Sequence, residues 1–199
     1  MAIRPASAFG GKDDDRTSGF TKASTLTLFG GTVVTQDTTD PTGKTLLQFA
    51  GQTALGTANP FPLGLVFEET KQFPAAPSNP DQFAGQGFDV LDYARGGVYS
   101  VFHRPGNFVE IYDDLKDTSQ VAQTVNGGGT NTQNNSCPFI ASDTFAVGQP
   151  VYATPGGLLT TVATSTTVRI GYVRGVSGGT GVNQIFVLEL AMQSGAAIA

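Results

Sequence analysis

The chain has 199 residues, a net charge of −5, 26 Gly, 11 Pro and only 14% charged residues, a mix that favours many short strands and turns over helices. An acidic chain without a basic stripe lacks what phosphate binding needs, and no stretch approaches the ~20 apolar residues of a membrane span. A single cysteine, Cys137, and a single histidine, His103, exclude an intrachain disulfide and an ordinary His/Cys zinc site.

Residues 1–24 hold Gly, Ser, Thr and the acidic run Asp13-Asp14-Asp15, with isolated apolar residues at Ile3, Phe9 and Phe20. Two readings stand: a frayed terminus, or an extended arm that orders on a neighbouring subunit with Ile3, Phe9 and Phe20 as anchors. The segment lacks the apolar stretch of a secretory signal, so synthesis in a cytoplasm is expected.

A first β unit is expected over residues 25–123. Leu26 and Leu28 alternate, Gly30-Gly31 interrupts, and Val33-Val34 resumes the strand pattern. Asp40-Pro41-Thr42-Gly43 signals a turn into Leu46-Leu47-Gln48-Phe49. Leu63 to Phe67 is a further strand, residues 71–87 an irregular loop with three prolines, and Phe88–Tyr93 and Gly97–Phe102 two more strands. Pro105-Gly106-Asn107 turns the chain into Phe108–Tyr112, and Ile111 and Leu115 are spaced for one helical turn over 113–117. Residues 124–136, TVNGGGTNTQNNS, hold almost nothing to bury and are expected to be a linker.

The second β unit, 137–199, divides into Val151–Ala153, Leu158–Ala163, Val168–Val173 and Ile185–Met192. Strict alternation places Val168, Ile170 and Tyr172 on one face and Arg169 and Val173 on the other. Successive apolar residues from Ile185 to Leu188 predict a strand covered on both sides. The two units echo each other. Phe29-Gly30-Gly31-Thr32-Val33-Val34 matches Val147-Gly148-Gln149-Pro150-Val151-Tyr152 in pattern, each followed by a Pro/Gly turn, a Leu-Leu pair, and Gly64-Leu65-Val66 or Gly171-Tyr172-Val173. The fold expected is all-β: a Gly-rich β-barrel or β-sandwich of two related β units with an extended N-terminal arm.

Reactive patterns fail on context. Gly175-Val176-Ser177-Gly178-Gly179 fits a nucleophile elbow, but no helix signal and no later histidine follow. Gly43-Lys44-Thr45 lacks the first glycine of a phosphate-binding loop, where Thr38 stands. His103 ends a strand and reads as a surface residue. Glu110, Asp113, Asp114 and Asp117 lack the spacing of a calcium loop. Cys137 has no neighbouring cation and reads as a small apolar residue. Asn134-Asn135-Ser136 is a glycosylation sequon only for a secreted chain. No catalytic residue, cofactor site or metal site is expected, and the chain is read as a non-enzyme.

The back part resembles the small β proteins that decorate, or cement, tailed-bacteriophage capsids. The likeness rests on Val147 to Tyr152, the turn into Gly157-Leu158-Leu159-Thr160-Thr161, Ile170-Gly171-Tyr172-Val173, and the closing strand Ile185 to Leu190. It implies a virion structural protein on the outer capsid surface that stabilises the head. Its partners would be the major capsid protein and copies of itself, as a dimer or trimer, with no direct nucleic acid and no membrane contact. The alternative is a tail or head-fibre-associated receptor-binding protein, with residues 71–87 as the binding loop.

Overall fold

The computed structural model describes residues 3–5, 16–22, 31–51, 61–66, 99–102, 105–112, 120–124, 130–134 and 137–192. The described residues are rich in sheet, and their helical content is one 3-10 turn at Gly181–Asn183. The chain is all-β over this range.

β-Branched residues open the first long-range pairing. Strand β3 (Val33–Gln36) forms an antiparallel hairpin with β4 (Thr45–Gln48), and β5 (Gly64–Val66) pairs with the other side of β3. Strand β6 (Tyr99–Phe102) then pairs with β5. Period-two alternation sends neighbouring side chains to opposite faces. Val33, Phe49, Leu65 and Phe102 enter the main core, while Val34, Leu46, Val66 and Val101 form a second, smaller cluster with Leu63 against it. Strand β2 (Arg16–Lys22) pairs antiparallel with β6 and parallel with β4.

The second sheet is six-stranded. Strands β10 (Pro150–Ala153), β11 (Leu159–Thr160), β12 (Val168–Val176) and β13 (Phe186–Leu190) are joined by β7 (Phe108–Ile111) and β1 (Ile3–Pro5) in the order β1-β7-β13-β12-β10-β11, all antiparallel. Residues 108–111, read with the first unit, thus complete a sheet made mostly of the second. Residues 3–5, expected in the arm, form its last strand. At the opposite edge, the 138–140 segment shields β11: Leu159 N–H donates to Pro138 O and Ile140 N–H to Leu159 O, both at 2.8 Å. A separate hairpin pairs β8 (Gln120–Thr124) with β9 (Thr130–Asn134). Polar, glycine-rich composition reads as linker over 124–136, yet backbone ladder bonds need no apolar side chain, and 130–134 takes a strand.

One core lies between the two sheets, with Val33 and Leu65 from one and Val151, Ile170, Leu188 and Ile111 from the other in the same cluster. The rings of Phe139 and Phe145 both meet Phe186, edge-on at 5.6 Å and stacked at 4.1 Å. A hydrogen-bonded seam also joins the sheets. The turn between β10 and β11 reaches β3 and β4: Val33 N–H donates to Gly157 O, Gly156 N–H to Phe49 O, both at 2.8 Å, and Gln48 Nε2 to Gly156 O. Gly157 holds φ +77°, and a Cβ there would lie 2.5 Å from Val33 O, so the approach needs glycine on both counts.

Strict alternation fails in β12. Val151 pairs with Gly171 and Tyr152 with Arg169, so Ile170 is the extra residue of a β-bulge. The bulge shifts the phase: Val168, Ile170 and Val173 are buried, while Arg169 and Tyr172 face outward half-exposed. Tyr172 and Val173 therefore exchange the faces expected of them. In β13, Phe186, Leu188 and Leu190 enter the core and Val187, on the other face, is also buried, in line with a strand covered on both sides.

Candidate functional site

The loops at the end of the second sheet where β12 finishes are the most distinctive surface among the described residues. Pro150 pairs with Tyr172 and Ala153 with Val168, so the chain enters β10 at the end where β12 leaves the sheet. Residues 141–149 arrive there, and residues 177–185 connect β12 to β13 there. Gly148 N–H donates to Val173 O at 2.8 Å and Val173 N–H to Gln149 O at 2.9 Å, which fixes the 146–149 turn beside β12.

Gln184 ties the two loops together. Its Oε1 accepts from Phe145 N–H at 3.1 Å, and its Nε2 donates to Asp143 O at 2.7 Å and Gly181 O at 3.0 Å. The residue is 4% exposed and its amide is satisfied on both sides, so it works as a buried crosslink. Asp143, the one charged residue in loops 141–149, 161–167 and 177–185, turns its carboxylate to Thr160 Oγ1 and to Thr161 N–H at 2.9 Å. The other residues of loops 141–149 and 177–185 are uncharged. Val147 is 67% exposed and Val176 43%, whereas Val162, 48% exposed, opens the 161–167 loop that returns to the start of β12 at the opposite end. On the outer sheet face, Arg174 pairs with Glu189, and the guanidinium groups of Arg169 and Arg174 lie 5.2 and 5.6 Å from the centroid of the Tyr172 ring. The sequence offers no motif for Gln184, because a lone Gln before an apolar strand carries no pattern.

The residues singled out from sequence fall apart in space. Ser177 is exposed in the β12–β13 hairpin, where its N–H donates to Ile185 O at 2.9 Å, and a strand-turn-strand connection replaces the strand-turn-helix of a nucleophile elbow. Lys44 is exposed in the β3–β4 loop, whose amides serve another purpose. Asp40 Oδ1 accepts from Thr42 N–H at 2.9 Å, and Oδ2 accepts from Thr45 N–H at 2.8 Å and Lys44 N–H at 3.2 Å. The backbone donors that a phosphate would use are filled by the chain's own carboxylate. The Thr42 hydroxyl and the Thr45 and Thr42 donors hold the Asp40 carboxyl well below the usual carboxylate range. Cys137 is buried in the main core, with Sγ 3.2 Å from Phe139 O.

Of the three expected arm anchors, Ile3 is fully buried in its own chain's core and pairs across to Ile111. Phe9 lies outside the described residues. Phe20 lies on β2 with its backbone opposite Tyr99. Glu110 is half-buried on β7, whereas His103, Asp113, Asp114, Asp117 and the loop 71–87 lie outside the described residues. Among the described residues no group of three or more His, Cys, Asp or Glu side chains is gathered to hold a metal ion. Searches against known protein families, characterised proteins and solved structures each find no match for this chain.

Proposed function

We propose that the protein is a structural component of a tailed-phage virion, a decoration or cement protein that binds the outer surface of the major capsid protein shell and stabilises it. One observation supports this above the others. The four sequence pieces that carry the resemblance lie in β10, β11, β12 and β13 or lead directly into them, and these strands are contiguous as β13-β12-β10-β11. In this reading the two sheets act as a stiff sandwich, the ring of pairings β2-β4-β3-β5-β6 as a barrel, and the work of the molecule is contact and not turnover. Such a protein meets its shell in many copies, so that individually modest contacts add through multivalency. Its site is the outer capsid face, reached after synthesis in the host cytoplasm, with the major capsid protein and sister copies as partners.

The test is co-sedimentation with purified capsid shells of the phage that encodes the protein. Saturable binding at a fixed ratio to the capsid protein, with a rise in the temperature at which the shell opens, is expected. No binding to shells, together with binding of the isolated protein to host cells or glycans, would replace this reading with a tail- or fibre-associated receptor-binding role.

A further inference from the structure

We infer that the outer face of the second sheet carries a carboxylate-binding site centred on Arg169, and that its occupant is an Asp or Glu side chain of a partner protein. The site stands on its own geometry and does not depend on the decoration reading.

Strand register gathers the site. Tyr152 lies directly opposite Arg169, and Tyr172 lies opposite Pro150 on one side and Glu189 on the other. Directly opposed residues of antiparallel strands share a face, so Tyr152, Arg169, Tyr172 and Glu189 all stand on the side away from the core. Two guanidinium groups approach the Tyr172 ring, at 5.2 Å from its centroid for Arg169 and 5.6 Å for Arg174. They are used differently. Arg174 has its counter-ion, because its Nε donates to the Glu189 carboxylate. Arg169 pairs with no carboxylate among the described residues, and its Nε is closed to solvent without a hydrogen-bond acceptor. Around one ring, then, Arg174 forms a complete set of aromatic face, guanidinium and carboxylate, and Arg169 repeats the first two parts without the third. A half-buried cation with an unsatisfied donor is costly, and such donors are rare enough in folded proteins to need a cause.

Chemistry selects the ligand. With Nε shut off, a ligand meets the terminal nitrogens, whose paired N–H groups match the two oxygens of a planar carboxylate approaching end-on. A phosphate would bring more negative charge to a chain that already carries −5, and would bring it near Glu189, so a single carboxylate is the better-matched anion. Arg and Tyr are also the residues enriched at the centres of protein–protein contacts. An acidic side chain on a protein surface fills the guanidinium fork while its neighbours cover the faces of Tyr152 and Tyr172.

The test is NMR on the isotope-labelled full chain, following the Arg169 Nε–H, which shielding from solvent should keep visible. The probes are an acetylated tetraglutamate amide, its tetraglutamine counterpart, inorganic phosphate and N-acetylneuraminate. The glutamate peptide is expected to shift the Arg169 Nε–H and the Tyr152 and Tyr172 ring signals saturably, less so as salt rises, and the glutamine peptide to leave them in place. Arg169→Gln, checked as folded by thermal melting, should weaken binding by about tenfold or more. Glu189→Gln frees the second guanidinium beside the same ring and should tighten it by about threefold or more. The inference is overturned by a wild type that shows no saturable shift, by an Arg169→Gln chain that binds like wild type, or by a Glu189→Gln chain that binds more weakly. A response to phosphate or N-acetylneuraminate in place of the glutamate peptide overturns it too, reassigning the site to a phosphate or an acidic sugar. No capsid shell enters the experiment, so failure of this site leaves the decoration reading standing, and failure to bind shells leaves the site standing.

Discussion

In the first half of the chain the hairpin β3–β4 is extended on the β3 side by β5 and then β6, and in the second half β10–β11 is extended on the β10 side by β12 and then β13. Every neighbour in both sets is antiparallel. The glycines that the sequence echo aligns, Gly64 and Gly171, occupy the same kind of place: a Cβ would lie 2.1 Å from Phe102 O in one and 1.9 Å from Glu189 O in the other. What differs is how the faces are used. The first set buries both, one in the main core and one around Val34 and Val101. The second sends its apolar side chains into the main core and leaves Tyr152, Arg169, Tyr172 and Glu189 half-exposed outside. The connection between the last two strands also differs, spanning 67–98 in the first set and the short loop 177–185 in the second. A shared strand order thus does not dictate burial.

The two glycines offer the sharpest way to break the comparison. Gly171→Ala is expected to be the most damaging single change, costing about 4 kcal/mol or more, because β12 is a nine-residue strand held on both sides and cannot retreat from Glu189 O. Gly64→Ala meets an equally close carbonyl, but β5 has three residues and can shift, so about 2 kcal/mol is expected. Denaturant midpoints of the two variants decide it. Equal losses would mean that the two sets are equally constrained.

The seam asks whether the sets unfold together. Gly157→Ala combines a positive φ with a Cβ crowding Val33 O, and should cost about 3 kcal/mol. Because Gly157 binds β3 from the β10–β11 turn, loss of that contact should also make the amides of 33–36 exchange independently of those of 168–176. A single cooperative transition in hydrogen exchange for the variant would show that the shared core alone couples the sheets.

Much of this was readable from sequence. Val33-Val34, Leu46-Leu47, Gly64 to Val66 and the pieces from Val151 to Leu190 all lie in or beside strands, because β-branched and aromatic runs bounded by Gly and Pro have few other solutions. Partners were less readable. Pairing of β7 with β13 and β1 is set by long-range packing, and alternation alone could not foresee the bulge at Ile170 that turns Val173 inward. The loop surface was hidden for a related reason: exposure of Val147 and burial of Gln184 follow from the way two distant loops meet.

Gln184 provides the next test, within the second set only. Replacing it by Leu leaves Phe145 N–H and Asp143 O without their side-chain partner, while Gly181 O keeps the backbone N–H of residue 184, and buried groups stripped of a hydrogen bond cost about 1–3 kcal/mol. Faster exchange at Phe145, with β3–β6 unaffected, is the expected outcome; global destabilisation without local loosening would mean that the crosslink supports the core and not the loops.

The smallest effect belongs to the first set and to acid. Asp40 closes the β3–β4 loop through charge-strengthened bonds to Thr42 and Thr45, and its folded-state carboxyl is held well below the unfolded value of about 4. A depressed folded value means that the unfolded chain binds the proton first as pH falls. The contribution of Asp40 is therefore full above about pH 5, shrinks as pH drops below about 4, and is lost once the folded carboxyl itself takes a proton. Asp40→Asn should lower the melting temperature slightly at neutral pH and flatten the acid limb of the stability profile, since the variant has nothing there to titrate. The equivalent turn of the second set, Thr154 to Leu158, carries no carboxylate, so changes within it should leave the acid limb as steep as in the wild type. An Asp40→Asn profile parallel to wild type below pH 4 would place the acid sensitivity elsewhere and remove this difference between the two turns.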